Sequence, residues 1–266
     1  PDYASVFSGS LEIDNIIMML SALLGKGAVF EAGETVLILD EIQECPEART
    51  ALKFFKMDGR FDVIGTGSLL GGKGYGKEPR SVPVGYETVI DMYPLDFEEF
   101  LWANDIGEPI INMLRKCLEE AKPVQEAIHN KMRQLLLQYT VVGGMPDVVQ
   151  TFVNTKQMND VLSIQRDIIR SYEDDMVKYA EKADKSRIKE CFQSIPKQLS
   201  KENKKFQYAV IKKGSTASKY MGSLQWIEDA GIIRRCRNLS ITELPLDGNA
   251  EDNTFKVYMT DIGLFV

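Results

Sequence analysis

Two adjacent carboxylates, Asp40 and Glu41, follow directly on the apolar run Val36-Leu37-Ile38-Leu39 in the stretch ETVLILDEIQECP. A short continuous apolar run suits a strand buried on both faces of a parallel sheet. Acids at the carboxyl end of such a strand face the crevice where open α/β sheets bind ligands. One acid there can hold Mg²⁺, directly or through water. The next can orient and polarise a water that attacks a phosphoryl group. The same pattern also closes strands that end in a solvated acidic turn, so the neighbouring elements must decide between the two.

Those elements favour phosphoryl chemistry. Pro46 can open a helix, and residues 48–57 carry helical spacing. Phe61-Asp62-Val63-Ile64-Gly65-Thr66-Gly67-Ser68 then reads as a second buried strand ending in hydroxyls. Four apolar residues followed by Asp-Glu is the Walker B pattern, in which Asp40 holds Mg²⁺ through water and Glu41 orients the attacking water. A polar residue ending the adjacent strand, Thr66 or Ser68, occupies the place of a γ-phosphate sensor. Residues 14–26 read as an amphipathic helix before the first strand.

The glycine- and lysine-rich stretch GTGSLLGGKGYGKEPR invites a different reading, as a phosphate-cradling loop. It comes within one residue of the motif twice. Gly67 and Gly72-Lys73 are followed by Gly74, and Gly71 and Gly76-Lys77 are followed by Glu78. The motif needs Ser or Thr after the lysine, because that hydroxyl ligates Mg²⁺. The stretch therefore reads as the end of the sensor strand and the loop after it. No G-x-x-x-x-G-K-[ST] occurs elsewhere in the 266 residues. The opening PDYASVFSGS reads as mid-protein sequence, and the phosphate loop is expected upstream of it.

Composition excludes several classes. No apolar run approaches a membrane span. The four cysteines, Cys45, Cys117, Cys191 and Cys236, form no C-x-x-C pair, which fits a reducing cytoplasm and indicates neither a zinc site nor a disulfide framework. His129 is the only histidine, so a histidine-based triad or metal centre is not expected. Charge is uneven. Residues 184–237 hold thirteen Lys/Arg against five Asp/Glu, about +8 in a chain of net −7. A basic module on an acidic body points to a polyanionic partner.

LILDEIQECPEARTALKFF, GTGSLLG and SVPVGYETVIDMYPLDFEEFL resemble the prokaryotic AAA-type P-loop ATPases that carry a C-terminal domain of unknown function, number 4143. The resemblance runs on through YTVVGGMPDVV, IIRSYEDDMVKYAE, SIPKQLSKENKKFQY, WIEDAGIIRRC and FKVYMTDIGLFV, in the family's order. It implies ATP and Mg²⁺ as ligands, an ATPase core, a helical lid, a winged-helix module and a terminal domain resembling restriction endonucleases. The expected fold is thus α/β: a partial AAA-type core over residues 1–104, a lid over 105–183, a winged helix over 184–260, and the start of a truncated last domain over 255–266. Residues 84–92 would be the last core strand. Asp96 would start the first lid helix, and the Gly143-Gly144-Met145-Pro146 turn would serve either backbone geometry or a ligand. Trp102 and Trp226 are expected in the core, and His129 exposed on a helix.

In a winged helix one helix can enter the major groove while lysines contact phosphates. Residues 186–200 and 215–230 would be helices, with Pro196 starting or kinking a turn. Residues 232–236 and 255–259 would be the wing strands. Lys204, Lys205, Lys212, Lys213 and Lys219 could form an electrostatic footprint for DNA, or a solvated face on a packing module. Base-reading side chains are scarce over residues 215–220, which speaks against sequence-specific readout. In a homo-oligomer Arg80 could meet a neighbouring subunit's ATP as an arginine finger, or it is an ordinary loop arginine. The alternative to an ATPase is a DNA-binding or scaffold protein with a degenerate core.

Overall fold

The computed structural model describes residues 3–67, 85–180 and 184–265. The chain divides into two compact units, Pro1–Asp91 and Met92–Val266.

The first unit is built around a β-α-β step. Helix α1 (Ile13–Leu24) precedes strand β1 (Val36–Leu39), helix α2 (Pro46–Asp58) and strand β2 (Asp62–Gly65). Pro46 sits in the first turn of α2, where its missing N–H would have had no helical partner. Gly59 ends the helix at φ 73°, its N–H donating to the Phe55 carbonyl. Ala48, Ala51 and Phe55 recur at helical spacing and turn one face of α2 to the core, with Ile16 and Leu37 in the same cluster. The two strands pair in parallel, Val36 opposite Asp62 and Leu39 opposite Gly65. Acid-bearing and hydroxyl-bearing strand ends therefore emerge side by side.

Three expectations for this unit are corrected, the first being the burial of β2, none of whose residues Asp62–Gly65 is buried. The β1 run is buried on one face only: Leu37 is buried, whereas Val36 and Ile38 are 52% and 68% exposed. A continuous apolar run cannot by itself say whether a second layer covers it. The expected last core strand forms no strand over its described residues, 85–92. Strand geometry needs a partner edge for its backbone N–H and C=O groups, and among the described residues β1 and β2 pair only with each other. Charge fastens this segment instead. Glu87 pairs with Arg49 of α2 at 3.1 Å, and Lys53 lies 5.3 Å over the Tyr86 ring.

The second unit opens with four helices: α3 (Phe97–Ala103), α4 (Glu108–Glu119), α5 (Glu126–Val142) and α6 (Pro146–Thr155). A long helix, α7 (Met158–Tyr179), follows. Asp96 caps α3 in a reciprocal box. Its Oδ1 accepts from the Glu99 N–H at 2.9 Å, and its own N–H donates to Glu99 Oε2 at 2.8 Å. Asp96→Ala should lower stability by about 1 kcal/mol, read as a lower urea midpoint at unchanged slope. An unaltered midpoint would mean the box contributes nothing. Phe100 fills the centre, its ring 5.3 Å from Tyr139 and 5.9 Å from Phe152. Trp102, expected in the core, is half exposed because Phe100 and Leu101 take the inward face of this short helix; Trp226 is buried. His129 is exposed.

Helix α8 (Lys185–Leu199), a single turn α9 (Tyr208–Ile211) and helix α10 (Ala217–Asp229) come next. Strands β3 (Ile233–Leu239) and β4 (Ala250–Met259) pair antiparallel, Ile233 opposite Met259. Their register shifts between Arg237 and Asn238. An isolated bridge joins Lys205 to Lys256. Gly231, at φ 74°, makes the turn from α10 into β3. Pro196, expected to start or kink a turn, lies inside α8 near its end.

A buried carboxylate clasps this unit together. Asp261, two residues past β4 and 3% exposed, accepts from Gly144 N–H at 2.6 Å and from Gly263 N–H at 2.8 Å. Gly143, at φ 74°, brings the backbone in so closely that a Cβ there would stand 2.2 Å from Asp261 Oδ1. The GGMP turn thus has a backbone role: it lets a carboxylate reach the entrance of α6. Gln165, fully buried on α7, donates to the Val141 and Val142 carbonyls at 2.8 and 3.1 Å and closes the same corner.

Candidate functional site

The acid pair sits where the chain leaves β1. Asp40 and Glu41 are both exposed. Thr66 N–H donates to the Leu39 carbonyl at 3.0 Å, and Ile42 N–H donates to the Thr66 carbonyl at 2.9 Å. These bonds carry the parallel pairing one step past the strands and fix the two ends against each other. The Thr66 hydroxyl donates to Asp40 Oδ1 in a short hydrogen bond. Asp40, Glu41 and Thr66 are therefore brought together as their sequence positions suggest. Ser68 and Arg80 lie outside the described residues.

Glu41 adopts a left-handed backbone, φ 52° and ψ 45°. For a residue other than glycine this conformation costs of the order of 1 kcal/mol, and such strain persists only where the surroundings fix it. The Ile42–Thr66 bond supplies part of that fixation. Gln43 supplies more, since its amide nitrogen donates to Glu41 Oε2 and its side chain is buried. Gln43 did not stand out in the sequence, and Gly67, which packs against it, drew notice only within a near-miss phosphate loop. The only signal was the place of each, two residues past the acid pair and one past Thr66.

Among the described residues, no three His, Cys, Asp or Glu side chains cluster as a metal cage. Mg²⁺ does not need one: it keeps several waters and is held by one or two carboxylates together with substrate phosphates. The exposed Asp40 carboxylate, oriented by Thr66, fits that requirement.

The five lysines expected to face DNA are all exposed. Lys219 lies in the first turn of α10, and Lys204 and Lys213 flank α9. Lys212 is committed to Glu190 at 3.0 Å, and Glu190 also accepts from the Tyr220 hydroxyl at 2.6 Å. These hydrogen bonds from Tyr220 and Lys212 hold the Glu190 carboxyl below the usual carboxylate range. Lys205 reaches Thr254 of β4 at 3.5 Å. Among the described residues no carboxylate pairs with Lys204, Lys213 or Lys219.

Residues 133–266 match the family model described as Domain of unknown function (DUF8612), where the family numbered 4143 was expected. Residues 7–101 match the model described as AAA domain. Among solved structures, the chain is similar to a Walker-type ATPase of Pyrococcus abyssi, at a TM-score of 0.50 and 14% identity. The similarity covers 97% of this chain and 67% of that one. At this identity the likeness concerns the fold, and together with the AAA-domain match it gives an AAA-type, ATPase-like architecture. No curated protein matches the chain. Among the described residues no helix is long and apolar enough to cross a membrane.

Proposed function

The chain belongs to the family of the Domain of unknown function (DUF8612), and from that premise we propose that it couples an ATP-hydrolysing AAA-type core to a helical C-terminal body that carries a basic module. The observation that carries the reading is the joined strand ends, with Asp40 and Glu41 after β1 and Thr66 bonded to Asp40 from β2. Asp40 would hold Mg²⁺ through water, and the cation would draw charge from the phosphate oxygens as the bond breaks. Glu41 would orient the attacking water and accept its proton. Thr66, or Ser68 beyond it, would sense the γ-phosphate. In a homo-oligomer Arg80 would supply a charge to a neighbour's nucleotide. Glu41→Gln in the protein as its gene encodes it is the test. Nucleotide binding should persist and turnover should stop, whereas unchanged turnover, or a wild-type protein that never hydrolyses ATP, overturns the reading.

Helices α3 to α7 would act as the lid. Helices α8 to α10 with the β3–β4 hairpin would form a winged helix, a reading supported by their order and by the Lys205–Lys256 bridge. The second reading, a DNA-binding module, is favoured by the exposed, carboxylate-free Lys204, Lys213 and Lys219. Their replacement by alanine should weaken binding to mixed-sequence duplex. It should also flatten the log-log salt dependence by about one unit for each phosphate no longer neutralised. No retardation of duplex by the wild-type protein at low salt would remove DNA as a partner.

A further inference from the structure

Gln43 is the buried polar side chain nearest the acid pair, and it touches two things at once. Its amide nitrogen donates to Glu41 Oε2. Its amide oxygen lies against Gly67, the residue after Thr66, so closely that a Cβ on Gly67 would stand 2.0 Å from it. Gln43 is 7% exposed, so its amide is not free to swing into solvent. Glu41, by contrast, is exposed and sits on a strained left-handed turn, where an unrestrained carboxylate would sample several rotamers.

We propose that Gln43 is the positioning residue for Glu41: wedged between the acid and the bare backbone of Gly67, it holds the Glu41 carboxylate in the orientation that hydrolysis requires. The inference rests on the reading of Glu41 as the water-orienting base. It assigns a function to two residues that the Walker B pattern does not contain. Gly67 is glycine because a side chain there would displace the amide, and the Glu41 hydrogen bond with it. The backbone that leaves β2 and the carboxylate that follows β1 are thereby linked through a single side chain.

The test is a set of substitutions read by ATP turnover, nucleotide affinity and thermal midpoint. Gln43→Met keeps the length and bulk of the side chain but has no N–H to donate. It should lower kcat by about tenfold to a hundredfold, the loss that a misplaced catalytic group produces. KM for ATP should stay within about twofold, because only the water-orienting group has moved. Gly67→Ala should produce the same kcat loss by pushing the amide aside. Combined with Gln43→Ala, which makes room for the new methyl group, it should add nothing further. In a Glu41→Gln background Gln43→Met should have no additional effect on single-turnover rates.

Wild-type turnover in Gln43→Met would overturn the proposal. So would an equal loss with and without Glu41, or additive losses at Gln43 and Gly67, either of which would mark these residues as acting independently. Failure of the underlying reading looks different: Glu41→Gln itself would then leave turnover unchanged, whatever Gln43 does.

Discussion

Replacing Glu41 by glutamine is expected to lower ATP turnover by about 10²- to 10⁴-fold, the range that a positioned general base contributes. Glutamine keeps the length and shape of the side chain, so the left-handed turn and its backbone bond to Thr66 should survive. It removes the anion that, under the proposed function, would accept a proton from water. Asp40 and its hydrogen bond from Thr66 are untouched, so Mg²⁺-dependent nucleotide affinity should remain within a few-fold of wild type. Single-turnover hydrolysis beside binding of a fluorescent nucleotide separates the two effects. Turnover near wild type would leave Glu41 as an ordinary residue of a solvated turn. Loss of binding and turnover together would place the group in nucleotide binding rather than in the chemical step.

The second large effect is structural. Gly144→Ala should destabilise the second unit by about 3 kcal/mol, the upper part of the overpacking range. The new methyl carbon would fall 1.9 Å from the Leu95 carbonyl oxygen, and Leu95 nitrogen and carbonyl carbon stand within 2.9 Å. These are backbone atoms that cannot rotate away. They are also held in place, since Leu95 N–H donates to the Gly144 carbonyl at 2.7 Å and the Tyr139 hydroxyl donates to the Leu95 carbonyl at 2.8 Å. Urea denaturation followed by circular dichroism would measure the loss, and a shift below about 1 kcal/mol would show that the turn relaxes freely.

The carboxylate on the other side of that turn adds a pH signature. Burial raises the Asp261 carboxyl above its ordinary 3.8, against the opposing effect of the Gly144, Gly263 and Met145 N–H groups. The folded chain therefore keeps this proton at a pH where the unfolded chain has released it. The linked stability is fully present below 3.8 and is lost as pH rises through the raised folded value. Asp261→Asn lacks this dependence, so the stability advantage of wild type over the variant should shrink as pH climbs above 3.8. An advantage that grows over that range would mean that the N–H donors outweigh burial.

Much of the local structure was legible from residue order. Pro46 and the helical spacing over residues 48–57 announced α2, and Asp96 announced the start of α3. Two apolar runs ending in Asp-Glu and in Thr announced the parallel pair and its polar tips. These signals are short-range: a cap, a helical period and a strand run are each satisfied within a few residues. The strand expected over residues 84–92 is absent from its described residues, 85–92, because an apolar pattern supplies no partner edge, and here ion pairing with Arg49 holds the segment. The one-sided burial of β1 was hidden for a related reason, because the run does not encode what lies against each face.

What the sequence by itself determined was most of the elements of the first unit and which polar residues stand at the ends of β1 and β2. Tertiary structure alone decided how groups distant in sequence come to share one place. It set Asp261 against Gly144, 117 residues away. It also packed the Gln43 amide, already bonded to Glu41, against the backbone of Gly67. Both arrangements depend on a missing Cβ and on burial of a polar group beside backbone donors or bare backbone. Neither property belongs to a residue or to its neighbours in the chain; each exists only once the distant backbones have met.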